Sequence, residues 1–322
     1  VLVIATVDLW GVDRRYLEAE QFQRESSLEQ QVPTYSWDRW IEKQVQQAGG
    51  PGRFRTLPLA LNPTNYAPSS YHYESTGGYH GAKLQIYQDY IDHLLFPGQG
   101  MGRPNENALD LMSTRYVIAR QQLPGTRIAY RDQQNNMLVL ENEDVLPRAF
   151  LVGRTEVVSG AEKMWQRIRS ADWDPRETAL LPREIGFEPT PIDSASTAEV
   201  EIQRFSPREI VYRVRTDAPR LLVASEVYYP AGWEAQVDGE SAPIHRVNYL
   251  LRGIPVPEGE HTVRMAFDPA SHVWGVRISW AATLFVYGGI VVLVGLPFWR
   301  RRSGGAAAGP EDSGESGEEA DD

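Results

Sequence analysis

The chain has 322 residues, room for one large domain or two ordinary ones, with 42% hydrophobic residues, no cysteine and a formal net charge of −11. An acidic balance without any stretch that interleaves basic and aromatic residues excludes a phosphate-neutralising, nucleic-acid-binding surface, and the lack of Cys excludes disulfides and thiolate metal sites. Part of the charge is local, because residues 303–322 hold seven acidic side chains and no basic one.

Val1 to Val7 (VLVIATV) is apolar, but as a helix it covers only about 10 Å and cannot cross a bilayer by itself. It has neither a positively charged leader nor an A-x-A-like cleavage site. Residues 1–8 are therefore expected to be the last two turns of a spanning helix whose beginning lies outside this sequence, with Asp8 and Trp10 at the outer interface. A buried first strand is the alternative.

Tyr35 to Gln47 spaces Trp37, Trp40, Ile41 and Val45 along one helix face, with Ser36 placed to cap and Gly49-Gly50-Pro51-Gly52 to stop it. Arg53 to Leu59 reads as a short strand. An aromatic loop follows from Asn62 to Tyr79, broken by Pro63, Pro68, Gly77 and Gly78. Lys83 to Phe96 returns to helical spacing through Leu84, Tyr87, Ile91, Leu94 and Leu95. Asn107 to Met112 predicts a short helix leading into a strand at Tyr116 to Ala119. Thr126 to Arg131 and Met137 to Glu141 predict an antiparallel pair, and Ala149 to Val152 a further strand. Ser159-Gly160-Ala161-Glu162 matches a capping box for a helix running to about Ser170.

Composition changes near Asp193 to Thr197. Seven short strands are expected beyond it: Ala198 to Phe205, Glu209 to Thr216, Arg220 to Glu226, Trp233 to Val237, His245 to Asn248, Leu250 to Pro255 and His261 to Phe267. Asp238-Gly239 and Glu258-Gly259 mark tight turns, and the pattern favours a small antiparallel β-sandwich over 198–270. From Ile278 to Trp299 the chain reads 22 residues without a charge, about 33 Å of helix against roughly 30 Å of hydrocarbon. Trp280 and Trp299 stand near its ends as interfacial anchors, and Arg300, Arg301 and Arg302 follow it. The positive-inside rule then puts residues 300–322 in the cytoplasm, as a disordered acidic tail, and residues 9–192, a mixed α/β domain, with the β-sandwich on the outer side. The expected fold class is α+β: an extracytoplasmic α/β region, the sandwich, then one C-terminal transmembrane helix.

Catalytic constellations are sparse. Asp89 and Asp92 share a helix face, a poor geometry for two acids that must oppose each other across a glycosidic bond, and Asp172 and Asp174 sit in a turn. The six histidines show no metal-ligand spacing, and neither a nucleophile elbow nor a phosphate-gripping glycine loop is present. No catalytic residue, metal site or cofactor site is expected. Arg148, after Pro147, is expected to pin the two halves of the chain through a carboxylate. The candidate saccharide contacts are Tyr66, Tyr71, Tyr73, Tyr79 and His80 of the aromatic loop, whose rings and hydroxyls suit a sugar; the alternative is packing onto the neighbouring helix. Tyr228, Tyr229 and Trp233 pose the same question beside the strands.

The run Tyr228-Tyr229-Pro230, Gly232-Trp233, Val237-Asp238-Gly239, Pro243-Ile244, Arg246-Val247-Asn248-Tyr249, Leu251-Arg252-Gly253, Pro255-Val256-Pro257, Gly259 and His261-Thr262-Val263, ending in the apolar helix, resembles the C-terminal half of the YfhO-type bacterial membrane protein family. Val7-Asp8-Leu9, Arg15-Tyr16, Arg53-Phe54-Arg55, Gly77-Gly78-Tyr79, residues 107–116, Glu141-Asn142 and Leu146-Pro147-Arg148-Ala149-Phe150 extend the likeness over nearly all of the chain before the tail. Members of that family resemble polytopic glycosyltransferases of the C superfamily, which take sugar from a polyprenyl-phosphate carrier and attach it to a cell-envelope acceptor outside the cytoplasm. The resemblance implies a multi-pass protein of the bacterial cell membrane. Its acidic catalytic residue and carrier pocket would lie in an N-terminal transmembrane region that this chain does not contain, so this chain alone is expected to be inactive. Implied partners are the bilayer, that transmembrane region, a lipid-linked sugar and an envelope glycopolymer, with no nucleic acid. The alternative is a non-enzymatic envelope module that binds a saccharide or a partner protein.

Overall fold

A computed structural model describes residues 2–16, 32–98 and 102–303, and these fall into two units, one ending at Phe267 and one beginning at Asp268. The first helix, α1 (Leu2–Tyr16), runs eight residues past the expected end at Asp8 and rules out a buried first strand. Ile4, Val7, Leu9 and Trp10 are all exposed on it, and Arg14 lies over the Trp10 ring one turn back.

Helix α2 (Ser36–Gln47) buries Trp37 and Ile41 as its spacing dictates. Ser36 is not its cap. Tyr35 holds that position, and its N–H donates to the Asp38 carboxylate at 2.8 Å, while the Ser36 hydroxyl donates to Asp132 instead. The helix packs on a mixed sheet of β1 (Arg55–Leu57), β2 (Thr114–Ala119), β3 (Thr126–Asp132) and β4 (Met137–Asn142), ordered β1-β2-β4-β3, with β1 parallel to β2 and the other pairs antiparallel. Alternation along β2 and β4 sends Tyr116, Ile118, Met137 and Val139 towards Trp37 and Ile41, and Val117, Ala119 and Leu140 into the larger core on the other face.

That larger core is closed by a segment expected to be one helix, Lys83 to Phe96. It is instead a single α-turn, α3 (Gln85–Asp89), opening into a π-turn at Tyr90–Leu95, where the Phe96 N–H reaches back to the Ile91 carbonyl at 3.0 Å. The turn carries Tyr90, Ile91, Leu94 and Leu95 inward together. Helix α4 (Glu106–Leu111) follows, capped by Asn105, whose side-chain oxygen accepts from Ala108 N–H at 3.1 Å.

Strands β5 (Ala149–Val152) and β6 (Arg154–Val157) come next, and β6 pairs in parallel with β7 (Thr178–Leu181), a pair the sequence reading does not contain. Between them stands α5 (Ala161–Ile168). The expected capping box at its start does not form. Val158 still bonds to Leu181, so the chain turns into the helix through Gly160 at φ +93°, and the Ser159 hydroxyl faces the Pro182 carbonyl.

Beyond residue 197 there are eight strands: β8 (Ala198–Ser206), β9 (Glu209–Thr216), β10 (Arg220–Ala224), β11 (Trp233–Val237), β12 (Glu240–Ala242), β13 (His245–Val247), β14 (Leu251–Val256) and β15 (Gly259–Phe267). The unexpected β12 closes a two-residue hairpin with β11 through Asp238 and Gly239, both at positive φ. One sheet runs β12-β11-β15-β9-β8; the other runs β13-β14-β10-β5, all antiparallel. The second sheet takes its edge strand from residues 149–152, so strands from before and after residue 197 share it.

Both faces of that four-stranded sheet are covered, which explains why β10 reads RLLVA with every residue buried. Phe150, Val152, Leu221, Val223 and Leu251 belong to the larger core. Ala149, Leu151, Leu222, Ala224, Ile254 and Val256 meet Ile210, Tyr212, Val214, Ala235, Val263 and Met265 of the five-stranded sheet in a second buried cluster. The fold is thus mixed α+β with several antiparallel sheets.

The second unit is helix α6 (Ala270–Ser303), the one helix among the described residues long and apolar enough, over residues 270–296, to cross a membrane. It begins eight residues before Ile278 and adds Trp274 to its aromatic end, with the Arg277 guanidinium over that ring at 5.2 Å. Leu284 is 69% and Phe285 84% exposed, an arrangement that is stable in lipid and costly in water. The side chains of Trp299 and Arg300 to Arg302, and the expected disordered tail from residue 304 onward, lie outside the described residues.

Candidate functional site

The strongest electrostatic feature lies where the first sheet meets the central four-stranded one. Arg148, 2% exposed at the start of β5, donates to Glu74 at 3.1 and 3.4 Å and also pairs with Glu226. Arg55 on β1 bonds the Met112 carbonyl (2.9 Å), the Ser225 carbonyl (2.8 Å) and Glu226 (3.3 Å). Burial alone would raise the Glu226 carboxyl, but the Arg148 and Arg55 guanidiniums outweigh it and hold the group below its ordinary range. Burial works to lower Arg148, and Glu226 and Glu74 overcome it and raise it. All four groups are committed to one another, so this is the pin expected of Arg148, with partners from both halves of the chain.

The aromatic-loop residues separate on folding. Tyr73 is buried and donates to the Asp38 carboxylate at 2.9 Å, and burial first, then Asp38, pushes its hydroxyl well up. Tyr66 is half-buried, its hydroxyl pushed up to about 12 by burial and by neighbouring Tyr35 and Asp38. Tyr71 and Tyr79 are each 66% exposed, and the exposed His80 only accepts from the Ala82 N–H at 3.1 Å. Tyr71 and Tyr73 alone of the five line a common groove of about 230 Å³, with Glu42, His72, Phe54 and Glu74; Tyr66, Tyr79 and His80 do not line it. In that groove His72 Nδ1 sits 2.9 Å from Glu42.

A second aromatic groove, about 340 Å³, opens on β11 and β12 and is lined by Tyr228, Tyr229, Pro230, Trp233, Glu234 and Ser241. The Trp233 ring is fixed from behind by the Arg252 guanidinium at 4.0 Å, itself held by two bonds to the Val227 carbonyl (3.1 and 2.9 Å). The groove adjoins a pocket of about 320 Å³ lined by Arg183, His245 and Arg246, and Tyr228 and Ile244 belong to both.

The remaining polar candidates have local partners. Asp89 accepts from Tyr249 (2.6 Å) and Gln85 (2.7 Å), and Asp92 from Gln88 (2.9 Å). Asp174 closes a turn to Arg176 N–H at 2.8 Å, and Asp172 pairs with Arg167 at 3.3 Å. Among the described residues no group of three or more His, Asp or Glu side chains is arranged to hold a metal ion.

Residues 190–279 match the family model described as "Bacterial membrane protein YfhO". Comparison with curated proteins and with solved structures gave no match. The matched segment contains the whole of the second aromatic groove and runs into α6.

Proposed function

We propose that this chain is the saccharide-handling domain and terminal anchor of a polytopic YfhO-type protein that transfers sugar from a polyprenyl-phosphate carrier to a cell-envelope acceptor. The observation that carries the reading is one segment, 190–279, that matches the YfhO model, forms an aromatic groove at Tyr228, Tyr229 and Trp233, and leads directly into a helix exposing apolar residues from Trp274 to Leu296. Flat aromatic faces beside Glu234 and Ser241 combine apolar contact with hydrogen-bonding groups, the pairing a sugar ring needs.

In this reading the two facing sheets form the β-sandwich of residues 198–270, completed by β5, and residues 9–192 form the mixed domain beside it. Both stand outside the cytoplasm, since Arg300 to Arg302 follow the spanning segment. The resemblance that extends beyond the matched segment supports a further transmembrane region in the same protein, which supplies the catalytic acid and the carrier pocket. Tyr71 and Tyr73 of the first groove are a second place for saccharide contact.

The test is transfer by the whole parent protein reconstituted in vesicles with labelled polyprenyl-phosphate sugar and an envelope acceptor, against a version lacking residues 32–267. Incorporation by the first and none by the second is expected. No incorporation by the intact protein, together with retained saccharide binding, would favour the alternative, a non-enzymatic envelope module.

A further inference from the structure

The pocket beside the aromatic groove has an unusual lining for so acidic a chain. Arg183, His245 and Arg246 face it together with Pro182, Ile185, Tyr228 and Ile244, and no carboxylate lines it. Several arginines elsewhere, Arg55, Arg115, Arg127, Arg148, Arg167 and Arg213 among them, each meet a carboxylate. Among the described residues Arg183 and Arg246 have no ion-pair partner, and the one contact of Arg246 is the Tyr249 ring at 6.0 Å. Burial first, and Arg183 second, hold His245 below its ordinary value, so near neutral pH the positive field comes from the two guanidiniums.

The pocket is also rigidly built. His245 and Arg246 stand on β13, in register with Gly253 and Arg252 of β14. Arg183 follows the end of β7, and that end is clamped to the turn after β13 by two bonds: Asn248 N–H to the Leu180 carbonyl at 2.8 Å, and Leu180 N–H to the Asn248 side-chain oxygen at 2.7 Å. Asn248 and Tyr249 both sit at positive φ (47° and 71°), backbone that L residues rarely adopt and that these bonds hold in place. Two strands from distant parts of the chain are thereby fixed so that Arg183, His245 and Arg246 line one pocket.

We propose that this pocket binds the negatively charged group, phosphate or carboxylate, of an anionic saccharide whose ring lies in the adjoining groove of Tyr228, Tyr229 and Trp233. Two planar guanidiniums suit an oxyanion, and the shared residues Tyr228 and Ile244 place the charge site next to the ring site. The inference rests on the saccharide reading of this face and adds the charge of the ligand.

The test is a ligand-observed NMR titration of the whole chain in detergent micelles with glucose, glucose 1-phosphate, glucuronate and inorganic phosphate. At least one anionic sugar is expected to bind about tenfold or more tighter than glucose, and whichever does so identifies the charged group. Arg183→Gln/Arg246→Gln is expected to abolish that advantage and leave glucose binding unchanged; Arg183→Gln alone, at an exposed and unpaired position, is expected to reduce it with no change in thermal midpoint. Anionic sugars binding no tighter than glucose, an advantage that survives the double substitution, or inorganic phosphate binding as tightly as glucose 1-phosphate would each overturn the inference. If no sugar binds, glucose included, the saccharide reading itself fails.

Discussion

Replacing Arg148 with Met removes the central cation of the buried network and keeps most of the side-chain volume. Two carboxylates lose a partner, but unequally. Glu74 is about a third exposed (31%) and keeps the Gly52 N–H at 2.7 Å, so water and that bond take up most of its loss. Glu226, 16% exposed, is left with Arg55 at 3.3 Å, and there the cost concentrates. Breaking a buried pair by removing one partner typically costs about 3–5 kcal/mol, a large part of the ordinary 5–15 kcal/mol of a domain. At about 2–4 °C per kcal/mol for a domain of this size, the midpoint of thermal unfolding by near-UV circular dichroism should fall by roughly 6–20 °C. Arg148→Met/Glu226→Gln should recover at least about 1 kcal/mol of that loss, because a neutral amide has no need of the missing charge. A loss below about 1 kcal/mol for the single variant, or strict additivity in the double one, would refute the account of Arg148 as the pin.

Two further outcomes follow from buried groups. Asp110 is 6% exposed, and burial, opposed by the Asn142 amide at 2.6 Å, pushes its carboxyl up to about 6. The folded chain therefore holds that proton more tightly than the unfolded one, so this group's contribution is complete below about pH 4 and is lost as pH rises through about 6, a change of about 2–3 kcal/mol. Asp110→Asn should flatten the pH dependence of denaturant midpoints across that window, and an unchanged profile would contradict it. Gly153 lies against the strap at residues 190–192: an added Cβ would sit 2.5 Å from the Thr190 carbonyl oxygen and 2.6 Å from Ile192 N. Gly153→Ala should cost about 1–3 kcal/mol in urea titration, while Gly81→Ala, in open space, should leave the midpoint unmoved.

What the sequence made legible was local. The alternation in Glu209 to Thr216, the Asp238-Gly239 turn and the spacing of Trp37 and Ile41 each specify an element through neighbours a few residues apart, and each forms in its expected place. The apolar stretch Ile278 to Trp299 was legible from length and charge alone, and the helix that contains it begins eight residues earlier, at Ala270. What escaped depends on partners far along the chain. β5 joins a sheet with strands about seventy residues later, and the parallel β6–β7 pair spans a helix. Ser159 and Glu162 carry the capping pattern, yet continuation of the β6–β7 ladder through Val158 decides that Gly160 turns the corner. The five aromatic-loop residues looked alike as a sequence, but Asp38 took Tyr73 into the core while Tyr79 stayed exposed. Tyr228, Tyr229 and Trp233 were visible as residues; the arginine pocket beside them was not, because Arg183 and Arg246 are sixty-three positions apart and line one pocket only where β7 and the turn after β13 are clamped together.

The account turns on a helix that crosses the bilayer with the folded unit outside the cytoplasm. These 322 residues contain no cysteine, so single substitutions serve as probes: Ala195→Cys in an exposed turn of the folded unit and Ala307→Cys after the arginine run. In intact cells a membrane-impermeant maleimide should modify the first and not the second, with the second reacting only after the membrane is opened. Modification of the cysteine at position 307 in sealed cells, or release of the protein from membranes by alkaline carbonate, would contradict it.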